Sequence, residues 1–143
     1  MPRFLAPLCC LPLAACTPET VRVHFDDGQV WTEVQERDGV RHGTFRQFYG
    51  SGSPEIEGRY SDGKLDGEWI DSHENGNRKR RSEYDLGVRA GTWTEWYEDG
   101  TKRSEGAWVA GDRDGVWSYW RPDGTLELES FFELGTRVSV AGH

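Results

Sequence analysis

After Cys16 the chain has no cysteine: Cys9, Cys10 and Cys16 all fall within the first sixteen of its 143 residues. The body of the protein therefore holds no disulfide and no thiolate metal site. Aliphatic residues are scarce as well, with hydrophobic residues at 35% of the chain and a single methionine, which excludes a wide aliphatic core. Basic residues are outnumbered 25 to 17 by acidic ones. Without a cationic footprint, neither nucleic acid nor a broadly anionic lipid surface is a natural partner. What the chain has instead is 18 glycines, 7 tryptophans, 5 tyrosines and 6 phenylalanines. Aromatic rings bury large areas with few rotamers, and so many glycines call for regularly placed turns.

The stretch from Phe4 to Ala15 is apolar, follows the basic Arg3 and ends in Leu13-Ala14-Ala15-Cys16, which resembles the bacterial lipobox. It falls short of the about 20 residues that a membrane-spanning helix needs. The resemblance implies that residues 1–15 are a signal peptide, that cleavage follows Ala15, and that Cys16 carries acyl chains at the head of a tether over 16–20. Thr17, standing where an aspartate would retain such a protein at the inner membrane, implies the outer membrane in a cell that has one. Loss of Arg3 leaves 16 basic residues against 25 acidic, a formal charge of −9, so acyl chains and not protein charge would hold the molecule in the cell envelope. The rival expectation is an unprocessed hydrophobic N-terminus on a cytoplasmic protein.

Glycine returns at Gly39, Gly63, Gly87, Gly111 and Gly135, each step being 24 residues. Four further columns keep that period: Gly43, Gly67, Gly91, Gly115; then Phe45, Trp69, Trp93, Trp117; then Gly52, Gly76, Gly100, Gly124; then Tyr60, Tyr84, Trp108, Phe132. Such repetition marks an array of identical supersecondary units. The third glycine follows Ser51, Asn75, Asp99 or Asp123, dipeptides that tolerate the positive φ angles of a type I′ turn between two strands. One repeat is thus one hairpin, and the paired glycines form the return connection, which predicts an elongated all-β antiparallel meander. Gly58, Ser82, Gly106 and Ser130 stand two residues before the last aromatic of each copy, on the same strand face, and leave room for a neighbouring ring. Trp93 and Trp96 are three apart and fall on opposite faces unless a bulge intervenes.

The repeats occupy 38–138 as copies 39–62, 63–86, 87–110 and 111–134. Residues 21–37, with Asp27-Gly28 in register 24 before Gly52, form a degenerate hairpin that caps the array, and 139–143 is a C-terminal tail. Counting that cap, about ten strands are expected. The run Gly-x-x-x-Gly-x-Trp-x-x-Trp-Tyr-x-Asp-Gly from Gly87 to Gly100 resembles the MORN repeat variant of bacterial proteins labelled YwqK-type antitoxins. The resemblance implies a β-hairpin scaffold used for protein binding or membrane association.

Chemistry is thin. Ser72-His73-Glu74 invites a catalytic triad, yet neighbouring strand residues point to opposite faces and cannot relay a proton. Asp112-x-Asp114-Gly115 resembles the start of a calcium loop, but Val116 stands where an oxygen ligand is needed and no glutamate closes the loop. Asp62 and Asp66 flank Gly63 in the same way and make a polar turn. No catalytic residue, metal or cofactor is expected, and no enzyme. The basic run Arg78, Lys79, Arg80, Arg81 would either touch an acidic partner or answer Glu57 and Glu105, in the column of Arg81 one repeat to either side, with only alternate members sharing a face. Phe48, Trp96 and Trp120, outside the core columns, form the candidate binding platform; Ser72 interrupts it in copy two. The function expected is a lipid-anchored extracytoplasmic scaffold that binds a protein or envelope polymer, with no nucleic acid involved; a cytoplasmic antitoxin-type binding module is the alternative.

Overall fold

A computed structural model of the chain describes residues 17–142. The signal segment 1–15, Cys16 and His143 lie outside the described residues. Twelve strands run in sequence order: β1 (Glu19–His24), β2 (Val30–Arg37), β3 (Val40–Phe48), β4 (Pro54–Ser61), β5 (Lys64–Leu65), β6 (Gly67–Ser72), β7 (Arg78–Asp85), β8 (Val88–Trp96), β9 (Lys102–Val109), β10 (Asp112–Trp120), β11 (Leu126–Glu133) and β12 (Thr136–Gly142). Each pairs antiparallel with its neighbour in one sheet, with β5 as a stub on β4. The two strands beyond the ten expected have separate origins. In copy two the first strand is broken at Asp66 into β5 and β6, and β12 is the first strand of a further copy, running on through 139–142 where a tail is expected.

The two kinds of turn exchange the roles that the dipeptides suggest. At the hairpin tips Gly28, Gly52, Gly76, Gly100 and Gly124 have positive φ but the residues before them do not. Gly100 N donates to Tyr97 O at 3.0 Å and Tyr97 N to Thr101 O at 2.8 Å, a pattern repeated at all five tips. These are three-residue loops in which a type I turn is followed by a left-handed glycine. The Asp or Asn before the glycine is there for its side chain, since Asp27, Asn75, Asp99 and Asp123 each accept a hydrogen bond from the backbone N–H two residues on. The two-residue type I′ geometry sits at the return connections instead: Asp38-Gly39, Asp62-Gly63, Leu86-Gly87, Ala110-Gly111 and Leu134-Gly135 all have both φ angles positive, and Asp85 pairs directly with Val88 across the turn.

The apolar interior lies on one face of the sheet, built as the columns predict from Phe45, Trp69, Trp93, Trp117 and Phe132 with Tyr60, Tyr84 and Trp108 packed against them. A Cβ on Gly58 would overlap the Trp69 ring and one on Gly106 the Trp117 ring, so the small-residue column does provide room for rings. The result is a chain of contacts: Phe45 stacks on Trp69 with centroids 5.4 Å apart, and Trp108 meets Trp117 edge-on at 5.5 Å.

Both long edges of the sheet are stitched with the repeat period. At the return edge Gly63, Gly87, Gly111 and Gly135 donate their N–H to the carbonyls of Arg41, Leu65, Arg89 and Arg113, 2.7–2.9 Å away in the preceding copy. At the tip edge Tyr49 Oη donates to Ser72 O at 2.8 Å, His73 Nε2 to Trp96 O at 3.3 Å and Tyr97 Oη to Trp120 O at 2.9 Å. Copies one to four are thereby clipped each to the next at both ends.

Candidate functional site

Two faces of different chemistry follow from this arrangement. On the core face an arginine column, not foreseen from the sequence, covers the rings. Arg113 lies over Trp117 at 4.3 Å, over Phe132 at 5.4 Å and over Trp108 at 5.7 Å. Arg89 lies over Trp108 at 4.8 Å and Arg41 over Tyr60 at 5.3 Å. Guanidinium planes suit this position because they are weakly hydrated and stack on ring faces. The signal was present, since Arg41, Arg89, Arg113 and Arg137 keep the 24-residue period with Leu65 as the exception.

Further along the same face, cross-strand pairing sets Ile56, Asp71, Arg80, Glu95, Ser104 and Tyr119 in one row. Arg80 forms an ion pair with Asp71 and lies 5.1 Å from the Trp93 ring, and Ser104 Oγ donates to Glu95 at 2.9 Å. Burial pushes the Asp71 carboxyl above its ordinary value, against the pull of Arg80 and Lys79. A small cavity of about 160 Å³ opens beside this row, with Asp71, His73, Lys79, Arg80 and Tyr97 in its wall. The basic run therefore does not alternate simply between faces. Pairing jumps from Asp71 with Arg80 to Ser72 with Arg78, and the bulge brings Lys79 round to the wall that Arg80 also lines. Arg81 points to the opposite face, where its partners are Glu68 and Glu83 rather than Glu57 and Glu105.

That opposite face is a charged lattice. Arg22 meets Glu33, Arg46 meets Glu57 at 3.4 Å, Lys102 meets Glu105 at 2.6 Å and Ser118 donates to Glu129 at 3.1 Å. Exposed pairs of this kind are worth at most about 1 kcal/mol each. Trp120 belongs to this face, with Lys102 Nζ 5.2 Å from its ring. Trp96 stands at a register shift just after Glu95 and takes part in the wall of the small cavity beside the Asp71–Arg80 row. Phe48, Trp96 and Trp120 are half-buried and separated by whole hairpins. Phe48 sits beside Gly28, Gln29 and Val30, and Trp120 beside Thr101, Lys102 and Gly124. They form spaced anchor points near the tips and not a continuous ring platform.

The sequence candidates for chemistry resolve into structural roles. His73 holds the Trp96 carbonyl and has no contact that would make Ser72 a nucleophile. His42 Nδ1 lies 3.0 Å from Asp62 at an exposed return turn. Asp66 and Asp114 accept the backbone N–H of Leu86 and Leu134 in the following return turns, at 3.5 and 3.4 Å. Among the described residues no group of three or more His, Cys, Asp or Glu is placed to hold a metal ion.

Residues 41–62 and 89–109 match the family model of the MORN repeat variant. The matched segments begin on Arg41 and Arg89, two whole periods apart, and each spans a hairpin from the return edge to the far side of its tip. Between them, copy two carries Leu65 and Ser72 where MORN-type copies one and three have arginine and an aromatic ring. No curated protein matches the chain. MORN repeats suggest a repeat scaffold, often for binding protein or membrane, and the hairpin array here has that form.

Proposed function

We propose that the protein is a lipid-anchored extracytoplasmic scaffold, held in the cell envelope by acyl chains on Cys16, that binds a protein or envelope polymer through its sheet. The observation that carries this is the joining of an unbroken 24-residue period, matched to the MORN repeat variant at 41–62 and 89–109, to the lipobox-like Leu13-Ala14-Ala15-Cys16. A stiff array with a single tether presents a long recognition surface without a catalytic centre. Phe48, Trp96 and Trp120 supply apolar anchors near the hairpin tips, the aromatic composition of a protein-binding hot spot. Metabolic labelling with a radioactive fatty acid tests the anchor: the wild-type chain takes up label and the Cys16→Ser variant does not, and equal uptake by both rejects the anchor. A pull-down from envelope extract with Trp96→Ala and Trp120→Ala variants tests the aromatic anchors, with loss of the captured partner expected and undiminished capture counting against them.

A further inference from the structure

The two long edges of the ribbon differ in what they expose. The tip loops carry Asp, Asn, Ser, Glu, Gly and Pro122, and among the described residues the large exposed apolar residues near them are Val23 and Trp31, both beside the first tip. The return edge exposes Val40, Leu86, Val88, Val109 and Leu134, with Leu134 at 70% and Leu86 at 50%. Leu86 and Leu134 sit moreover at the first position of type I′ turns with φ of 44° and 45°, a conformation that branched apolar side chains disfavour and that asparagine or glycine adopts readily. A strained leucine held out into water at a hairpin turn serves neither the core nor the turn.

The direction of β1 says what faces that edge. Glu19 pairs with Glu36, one residue from the strand end at the return turn, and His24 pairs with Val30 at the tip. The chain thus enters the sheet at the return edge, two residues after Cys16 gives way to Thr17 and Pro18. We infer that the return edge is the surface that meets a lipid bilayer, with Leu86, Leu134 and the three valines entering the interface and the ribbon standing on that edge. The inference rests on the anchor at Cys16, which a tether this short would bring to the same edge. Apolar side chains lying in the headgroup boundary would fix the orientation that a lipid chain alone leaves free.

The test uses the full chain with Cys9→Ser and Cys10→Ser, coupled through the Cys16 thiol to a maleimide-bearing phospholipid in phosphatidylcholine vesicles, and reads amide hydrogen exchange. Return-turn amides at 86–88, 109–111 and 134–136 should slow by about tenfold relative to the uncoupled protein, while tip amides at 50–52, 98–100 and 123–124 stay unchanged. A Leu86→Asn, Leu134→Asn double variant, whose turns are less strained, should keep the exchange pattern of the folded sheet and lose the slowing. Slowing at the tips, slowing at neither edge, or full slowing in the double variant overturns the inference. Because the coupling is chemical, a native chain found without acyl groups on Cys16 sinks the anchor alone and leaves this readout standing.

Discussion

Glycine 106 shows how much one missing methyl group decides. Its Cα lies against the Trp117 ring, and Trp117 is 1% exposed, the most buried large side chain among the described residues. Gly106→Ala has no flexible neighbour to displace, so the ring must shift and the variant should lose on the order of 1–3 kcal/mol in urea unfolding. An unchanged midpoint would mean that the indole is loosely held. Leu134 runs the other way. Non-glycine residues in the left-handed region lie about 1–2 kcal/mol above their relaxed conformation, and Leu134→Asn should raise the melting temperature while leaving the fold intact.

Asp99 and Asp123 give the tips a pH dependence of known sign. Hydrogen bonds from Thr101 and Thr125 hold both carboxyls below the ordinary aspartate value. A depressed folded pKa means that the bonds stabilise the tips fully above the unfolded value of about 4 and progressively less as pH falls through the folded one. Asp99→Asn keeps the acceptor oxygen and cannot titrate. In acid titrations followed by tip amide exchange, the 98–101 turn should therefore loosen below about pH 4 in the wild type, and the Asp99→Asn turn should not.

Hairpins, as elements, are held to one another at their ends as well as through the rings of the core. Tyr97 Oη bonds the Trp120 carbonyl across the gap between copies, and Tyr97→Phe removes that bond while keeping the ring. The expected loss is about 1 kcal/mol in thermal or urea unfolding, and a loss confined to the local exchange of 97–101 would show that the clip orders the tip without supporting the array. These clips also mark the limit of what was legible in the chain. The hairpin, the core columns and the space at Gly58 and Gly106 follow from periodicity, because period and parity fix which residues share a face. Turn type did not, since Asp-Gly suits both a left-handed pair and a side-chain cap, and Leu86-Gly87 or Ala110-Gly111 gives no local sign of a type I′ turn. The contacts of Tyr49, His73 and Tyr97 were equally hidden, because side chain meets backbone 23 residues away. Of the candidate site, Phe48, Trp96 and Trp120 were found as outliers from the core. Their separation follows from the same 24-residue period, whereas the turning of Lys79 toward Arg80 depends on a bulge that no composition rule predicts.

Across the whole molecule the buried hydrophobic side chains among the described residues form two groups: Val34, Phe45 and Trp69 in one, Trp93, Trp117 and Phe132 in the other. Asp71 and Arg80 pair between them on the same face. Each group is then stabilised by its own neighbours, as in other linear arrays. Trp69→Ala and Trp117→Ala should each cost about 3–5 kcal/mol, and the double variant should equal their sum within about 0.5 kcal/mol. A larger coupling energy would show that the sheet transmits packing strain through the ionic row.

Clips at both margins, recurring at the same interval, set a rule for how such a protein changes size. Losing or gaining a few residues inside a strand pulls one margin out of step with its neighbour while the other stays in place, and every downstream bond is forfeited. Removing or duplicating a complete 24-residue module leaves all remaining donors opposite their acceptors. The span of the sheet is therefore adjustable only in whole units, which makes this architecture a ruler with fixed graduations.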